Sequence, residues 1–293
     1  MFGPNTHLNA SVRVSESHRD LSFRTKLSTL RDEFVNKFNL HEFEIAFMLG
    51  GGSLGIESMI YSLRSPVRVL GVEGAFTQRW RALAAEYERR LSPLDVERAP
   101  EFLYCQLETS VSEFQTFPNS FVDAVSSFPY RPIPGDAQGF VTSSNKILGS
   151  LVGLVIVGVR KEICGDLLRN EDSSYLSVKK YFRYLSEGQT PTTTATHNVE
   201  HLLEQVRSFD LQATRDKIDR VSDMLTSCLG KEFLIGSSRG PVLTVRQDRI
   251  STALAERWSL YSKPTFGGVY QIFTYSCDIE DYARFCAEVE AGA

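Results

Sequence analysis

Apolar positions follow two different rhythms along the chain. Up to about residue 170 they come as short uninterrupted runs: 44–49 reads EIAFML, and similar runs occupy 67–72, 121–125, 140–142 and 151–159. Runs of this length, rich in Val, Leu and Ile, predict strands covered on both faces. Residues 56–63 predict a helix directly after the first strand. Further on the spacing becomes helical: Val199, Leu202, Leu203, Val206 and Phe209 mark one amphipathic face. Ile218, Val221, Met224 and Leu225 mark a second, which stops at Gly230. Two strands follow near 241–246 and 268–274, and Asp278 is an N-cap for a last helix with Ile279, Tyr282, Phe285 and Val289 on one side. This pattern predicts an α/β fold with a large domain over 1–195 and a small C-terminal α+β domain over 196–293. No internal repeat interrupts it, and the threonine run at 190–196 is the one low-complexity patch.

Composition narrows the class without naming a function. The 293 residues can bury a sizeable core, and 42% hydrophobic with 23% charged residues is ordinary for a globular protein. Mean hydropathy is −0.17, and no apolar stretch approaches the length of a membrane helix. The N-terminus lacks a basic segment followed by an apolar core, so a cytoplasmic location is expected. A net charge of −4 argues against binding nucleic acid through a broad basic surface. The five cysteines (Cys105, Cys164, Cys228, Cys277, Cys286) are scattered and never spaced as CxxC, which predicts reduced packing residues and no metal site.

Chemistry enters at the stretch FMLGGGSLGIESM, 47–59. Glycines after a strand let the backbone approach a ligand, and the N–H groups that open the next helix favour an anion such as phosphate. Gly50, Gly52 and Gly55 also satisfy GxGxxG, with Glu73 eighteen residues past Gly55 where a ribose-binding acid would sit, so dinucleotide binding is an alternative. A tight turn without a ligand is a third reading. Two further residues weigh against the last two. Asp123 in VDAVSSF and Lys146 in TSSNK both stand at strand ends, 23 residues apart. Pyridoxal phosphate chemistry requires both types: an amine that bonds the aldehyde, and a carboxylate that keeps the pyridine nitrogen protonated.

With these residues in place, the chain resembles the class V aminotransferases of pyridoxal phosphate fold type I, and among them the 2-aminoethylphosphonate:pyruvate transaminases. The segments that carry the resemblance run in order: GPNT near the start, SHRD at 17–20, GGGSLGIESM, VEGAF at 72–76, ETS at 108–110, VDAVSSF, SSNK and GQTPTT at 188–193. The resemblance implies a mainly parallel central sheet and pyridoxal 5′-phosphate as cofactor. Lys146 would hold the cofactor and shuttle the proton, and Asp123 would face the pyridine nitrogen. Gly51, Gly52 and Ser53 would bind the phosphate. Phe76 would stack on the ring and Thr109 would lie by the 3′-oxygen. Thr190 and Thr193 would reach the partner's phosphate, which implies a homodimer with shared active sites. Asn5, Arg19 and Gln271 fall at substrate-binding positions.

Two departures bear on the substrate. Where the family carries an arginine that grips a carboxylate, the segment VYQIF has Gln271, which cannot neutralise an oxyanion unless Arg19 or Lys263 substitutes. The stretch between VEGAF and VDAVSSF is also short, implying a reduced large domain and a more open site. The leading expectation is an aminotransferase acting between a primary amine and a carbonyl acceptor. A pyridoxal-phosphate decarboxylase or lyase, acting on a bulky or macromolecule-linked substrate, is the alternative. A nicotinamide oxidoreductase or a protein that keeps the fold without turnover completes the set.

Overall fold

A computed structural model describes residues 17–170, 173–262 and 267–292. The chain opens with α1 (Leu21–Phe38), then β1 (Phe43–Leu49), α2 (Gly52–Ser62), β2 (Val67–Leu70), α3 (Ala75–Glu88) and a one-turn α4 (Pro93–Val96). Next come β3 (Glu101–Cys105), a hairpin of β4 (Leu107–Glu108) and β5 (Glu113–Phe114), β6 (Phe121–Asp123), β7 (Gly139–Ser143) and β8 (Leu154–Arg160). After α5 (Cys164–Leu167) and α6 (Val178–Ser186) come α7 (Thr196–Ser208) and α8 (Leu211–Leu229). The C-terminal part holds β9 (Leu234–Ile235), β10 (Val242–Arg246), α9 (Thr252–Arg257), β11 (Tyr261–Ser262), β12 (Val269–Phe273) and α10 (Ile279–Glu290).

Six strands form the main sheet in the order β1-β8-β7-β6-β3-β2. The pairings β2–β3, β3–β6 and β6–β7 are parallel, while β8 runs against both β7 and β1. The expected mainly parallel sheet is therefore present, with β8 as the one reversed strand. Strand side chains alternate between two cores. Ile45, Phe47, Val122, Phe140 and Ile156 face one layer with α1 and α7. Ala46, Met48, Leu103, Val141 and Val157 face the other with α2, α3 and α6. Being covered on both faces is what makes these strands read as continuous apolar runs.

The apolar face of α7 (Val199, Leu202, Leu203, Val206) belongs to the first of these cores, packed against α1. The small core begins with α8, where Val221 and Leu225 pack on α10 and on Leu243 and Ile272 of the second sheet, β11-β12-β10-β9. The core thus changes at the turn between α7 and α8, whereas the rhythm of apolar positions places the division at 195/196.

The helix expected over 56–63 begins at Gly52. Glycine at its start and at Gly55 reflects packing: a Cβ on Gly55 would lie 2.4 Å from Val155 and 2.6 Å from Val141, and one on Gly52 would lie 2.5 Å from Val125. The helix can lie this close to the sheet only without those side chains. Strand order also removes the dinucleotide reading. In a Rossmann unit the strands before and after the glycine turn are neighbours. Here β1 and β2 are the two opposite edges of the sheet, five strand spacings or roughly 24 Å apart. Glu73 instead pairs with Arg81.

Candidate active site

The parallel strands share one C-terminal end of the sheet, and that end collects the residues singled out by chemistry. Asp123 closes β6 and is 8% exposed. Its Oδ1 accepts the backbone N–H of Val125 at 3.0 Å. Its Oδ2 accepts the Trp80 indole N–H at 2.8 Å and lies 3.6 Å from the Cys105 thiol. Burial raises the pKa of this carboxyl and the nearby charge of Glu108 adds to the rise, while the Val125 and Trp80 donors oppose it.

Lys146 sits three residues past β7, partly buried. Its amine makes no hydrogen bond or ion pair among the described residues and stands 5.1 Å from the centre of the Phe273 ring. Burial lowers its pKa to about 8, partly offset by the Asp123 charge. The amine therefore senses that carboxylate without touching it.

The glycine turn follows β1 at the same end. Gly50 has φ +144°, a left-handed backbone that favours glycine. Gly51 is the N-cap of α2 with no side-chain cap, and a Cβ there would have nothing within 4 Å. The Ser53 hydroxyl has no partner among the described residues. The opening of α2 is thus an uncapped helix start facing free space beside the loop that follows Asp123. Phe76, in the first turn of α3, lies 6.0 Å from Trp80 in a stacked arrangement with an interplanar angle of 28°.

Thr109 and Gln271 meet, but in a way the sequence did not suggest. Gln271 on β12 is 1% exposed, and its side-chain amide donates to the Thr109 carbonyl, which also accepts the Thr244 hydroxyl at 2.8 Å. The glutamine is committed to the backbone rather than held open for an anion. Beside it, the fully buried Glu108 accepts the Thr77 N–H at 2.9 Å, the Thr77 hydroxyl at 3.1 Å and the Ser110 N–H at 3.1 Å. It caps α3 from a distance in sequence.

Thr190, Thr193 and Arg19 lie elsewhere. With His18, Arg24 and Tyr184 they line a cavity of about 600 Å³ whose lining shares no residue with the Asp123 and Lys146 group. Asn5 and Lys263 fall outside the described residues. Trp80 is a site neighbour that motif reading missed, while Glu108 and Phe273 stand in the segments ETS and VYQIF without having been given a role. The one-turn spacing of Trp80 from Phe76 on α3 is the signal that could have suggested it. Among the described residues no group of acidic, His and Cys side chains is placed to hold a metal, and no helix is long and apolar enough to cross a membrane.

These features suit pyridoxal phosphate: a desolvated amine with no hydrogen-bond or ion-pair partner among the described residues, a buried carboxylate offset from it, an aromatic ring and an open helix start. Comparison with known proteins gives the same answer for the fold. No protein-family profile and no curated protein sequence matches the chain. Solved structures do match. An alanine–glyoxylate aminotransferase from Nostoc sp. is 18% identical, with a TM-score of 0.80 over 99% of this chain and 93% of that one. A subgroup IV aspartate aminotransferase from Thermus thermophilus is 18% identical, with a TM-score of 0.78 over 95% of this chain and 92% of that one. A phosphoserine aminotransferase from Cytophaga hutchinsonii is 16% identical, with a TM-score of 0.75 over 94% of this chain and 90% of that one. The chain has the fold of these aminotransferases.

Proposed function

We propose that the protein is a pyridoxal-phosphate-dependent aminotransferase of the class V kind, moving an amino group between a small primary amine and a carbonyl acceptor. The observation that carries this is the Lys146 amine, partly buried and free of hydrogen bonds, standing within the field of Asp123 without pairing to it. Bound pyridoxal phosphate supplies an electrophilic aldehyde and a ring that accepts electrons.

Each residue then has a task. Lys146 Nζ would hold the aldehyde carbon, and its lowered pKa would let it take up and return the substrate proton near neutral pH. Asp123 would keep a negative charge against the ring nitrogen. Backbone N–H groups at Gly51 and Gly52 and the Ser53 hydroxyl would receive the phosphate, with Phe76 and Thr109 the candidates for the ring face and the 3′-oxygen. The named structural relatives are all aminotransferases, which supports transfer over decarboxylation or elimination.

A homodimer completes the reading. Thr190, Thr193 and Arg19 line a cavity apart from the Asp123 group, which supports their serving a second protomer's site and not their own. A cytoplasmic location accompanies it.

The test is chemical. Purified protein incubated with pyridoxal phosphate should gain a visible absorption band, and borohydride should fix the cofactor on the peptide containing Lys146, as read by mass spectrometry. The band should convert to a pyridoxamine spectrum when an amine donor is added. Absence of the adduct, or an adduct on another lysine that survives in Lys146→Ala, overturns the proposal.

A further inference from the structure

Trp80 belongs to no motif, yet its indole N–H makes the shortest contact to Asp123, at 2.8 Å. An ionised carboxylate offers about four acceptor positions. Three donors already approach Asp123: Trp80 Nε1 and the Cys105 thiol at Oδ2, and Val125 N–H at Oδ1. One position is left, which suits a single ring N–H.

We infer that Trp80 is a positioning residue: its N–H fixes the rotation of the Asp123 carboxylate and leaves one acceptor position for the nitrogen of the cofactor ring. Three observations converge on this. Trp80 is 2% exposed and locked in the core of α3, so its N–H has one fixed direction. The Val125 N–H holds the other oxygen, so the carboxylate is pinned at both ends. Trp80 also stacks on Phe76, so one side chain aligns both the ring-covering aromatic and the ring-facing carboxylate. A hydrogen bond to the charged form also keeps Asp123 ionised against its burial.

The inference rests on the functional reading above, and its experiment separates the two. Cofactor affinity is measured by fluorescence titration for wild type, Trp80→Phe, Asp123→Asn and the double variant. A fifth protein carries a benzothiophene side chain at position 80, which keeps the ring and its volume and replaces only the N–H by sulfur. Loss of the N–H should weaken pyridoxal phosphate binding about tenfold, the worth of one hydrogen bond to a charged group. It should also shift the pH midpoint of the visible band, and Trp80→Phe should cost nothing further in the Asp123→Asn background.

If Trp80→Phe does not fold, the benzothiophene protein still decides the matter. Wild-type affinity and pH midpoint in that protein, or an undiminished Trp80→Phe effect in the Asp123→Asn background, overturns the role of Trp80 while the functional reading stands. A wild-type protein that takes up no cofactor overturns both.

Discussion

Gln271 donates its side-chain amide to the backbone carbonyl of Thr109, joining β12 of the small sheet to the loop after β4. The residue is an internal brace. Gln271→Ala should therefore destabilise the protein by about 1–2 kcal/mol in urea unfolding, with Thr244 left as a donor to the carbonyl. Gln271→Arg should be worse than alanine, because the guanidinium would be buried without a carboxylate partner. An arginine variant as stable as wild type would show that the position is open.

Lys146 should be a stability burden until it is bonded. Its pKa falls from 10.5 in the unfolded chain to about 8 in the fold, so the unfolded chain binds more protons between those values. Stability of the cofactor-free protein should rise with pH across that window and be lowest below pH 8. Lys146→Met should stabilise the cofactor-free protein by about 3 kcal/mol at pH 7, with the gain fading toward pH 10.5. Urea unfolding of both proteins across this range provides the check.

Neighbouring glycines should behave differently. Gly51 has φ −95° and open space around a Cβ, so Gly51→Ala should change stability by less than about 0.5 kcal/mol while weakening phosphate or cofactor binding. Gly52→Ala would press a methyl onto Val125 and should cost about 1–3 kcal/mol. Thermal unfolding, paired with titration of inorganic phosphate, separates the two effects. Equal stability losses would contradict the packing described for α2.

Glu108 should matter to α3 more than its place in a loop suggests. Glu108→Gln would weaken the acceptor for the Thr77 N–H and hydroxyl and for the Ser110 N–H, at a cost of about 1–3 kcal/mol. It would also remove a charge that raises the Asp123 pKa, so that pKa should fall, as read from the carboxyl band in infrared titration. Hydrogen exchange in the first turn of α3 should quicken.

What could be read from the sequence was the part governed by local pattern. Residues 44–49 and 154–160 are buried on both faces and read as strands, and α8 and α10 show a clear helical period. The start of α2 was misjudged because Gly52 and Gly55 are poor helix formers, and their reason for being there is the nearness of Val125 and Val155. Trp80 meets Asp123 across 43 positions and Gln271 meets Thr109 across 162, so neither contact leaves a local trace. Gln271 could be recognised as a departure from an arginine, but not as a side chain already engaged.

The short loop after β4 is fastened on both sides. Glu108 ties it to α3 of the large body. On the other side the Ser112 hydroxyl bonds Thr244 and the Val242 carbonyl, and Ser237 N–H bonds the Ser112 carbonyl at 2.8 Å. Swinging the C-terminal sheet outward as a hinged flap would sever the Ser112 and Ser237 bonds together with the Gln271 brace. A ligand bound beside Asp123 and Lys146 would then come and go by local movements, with the two bodies travelling as one.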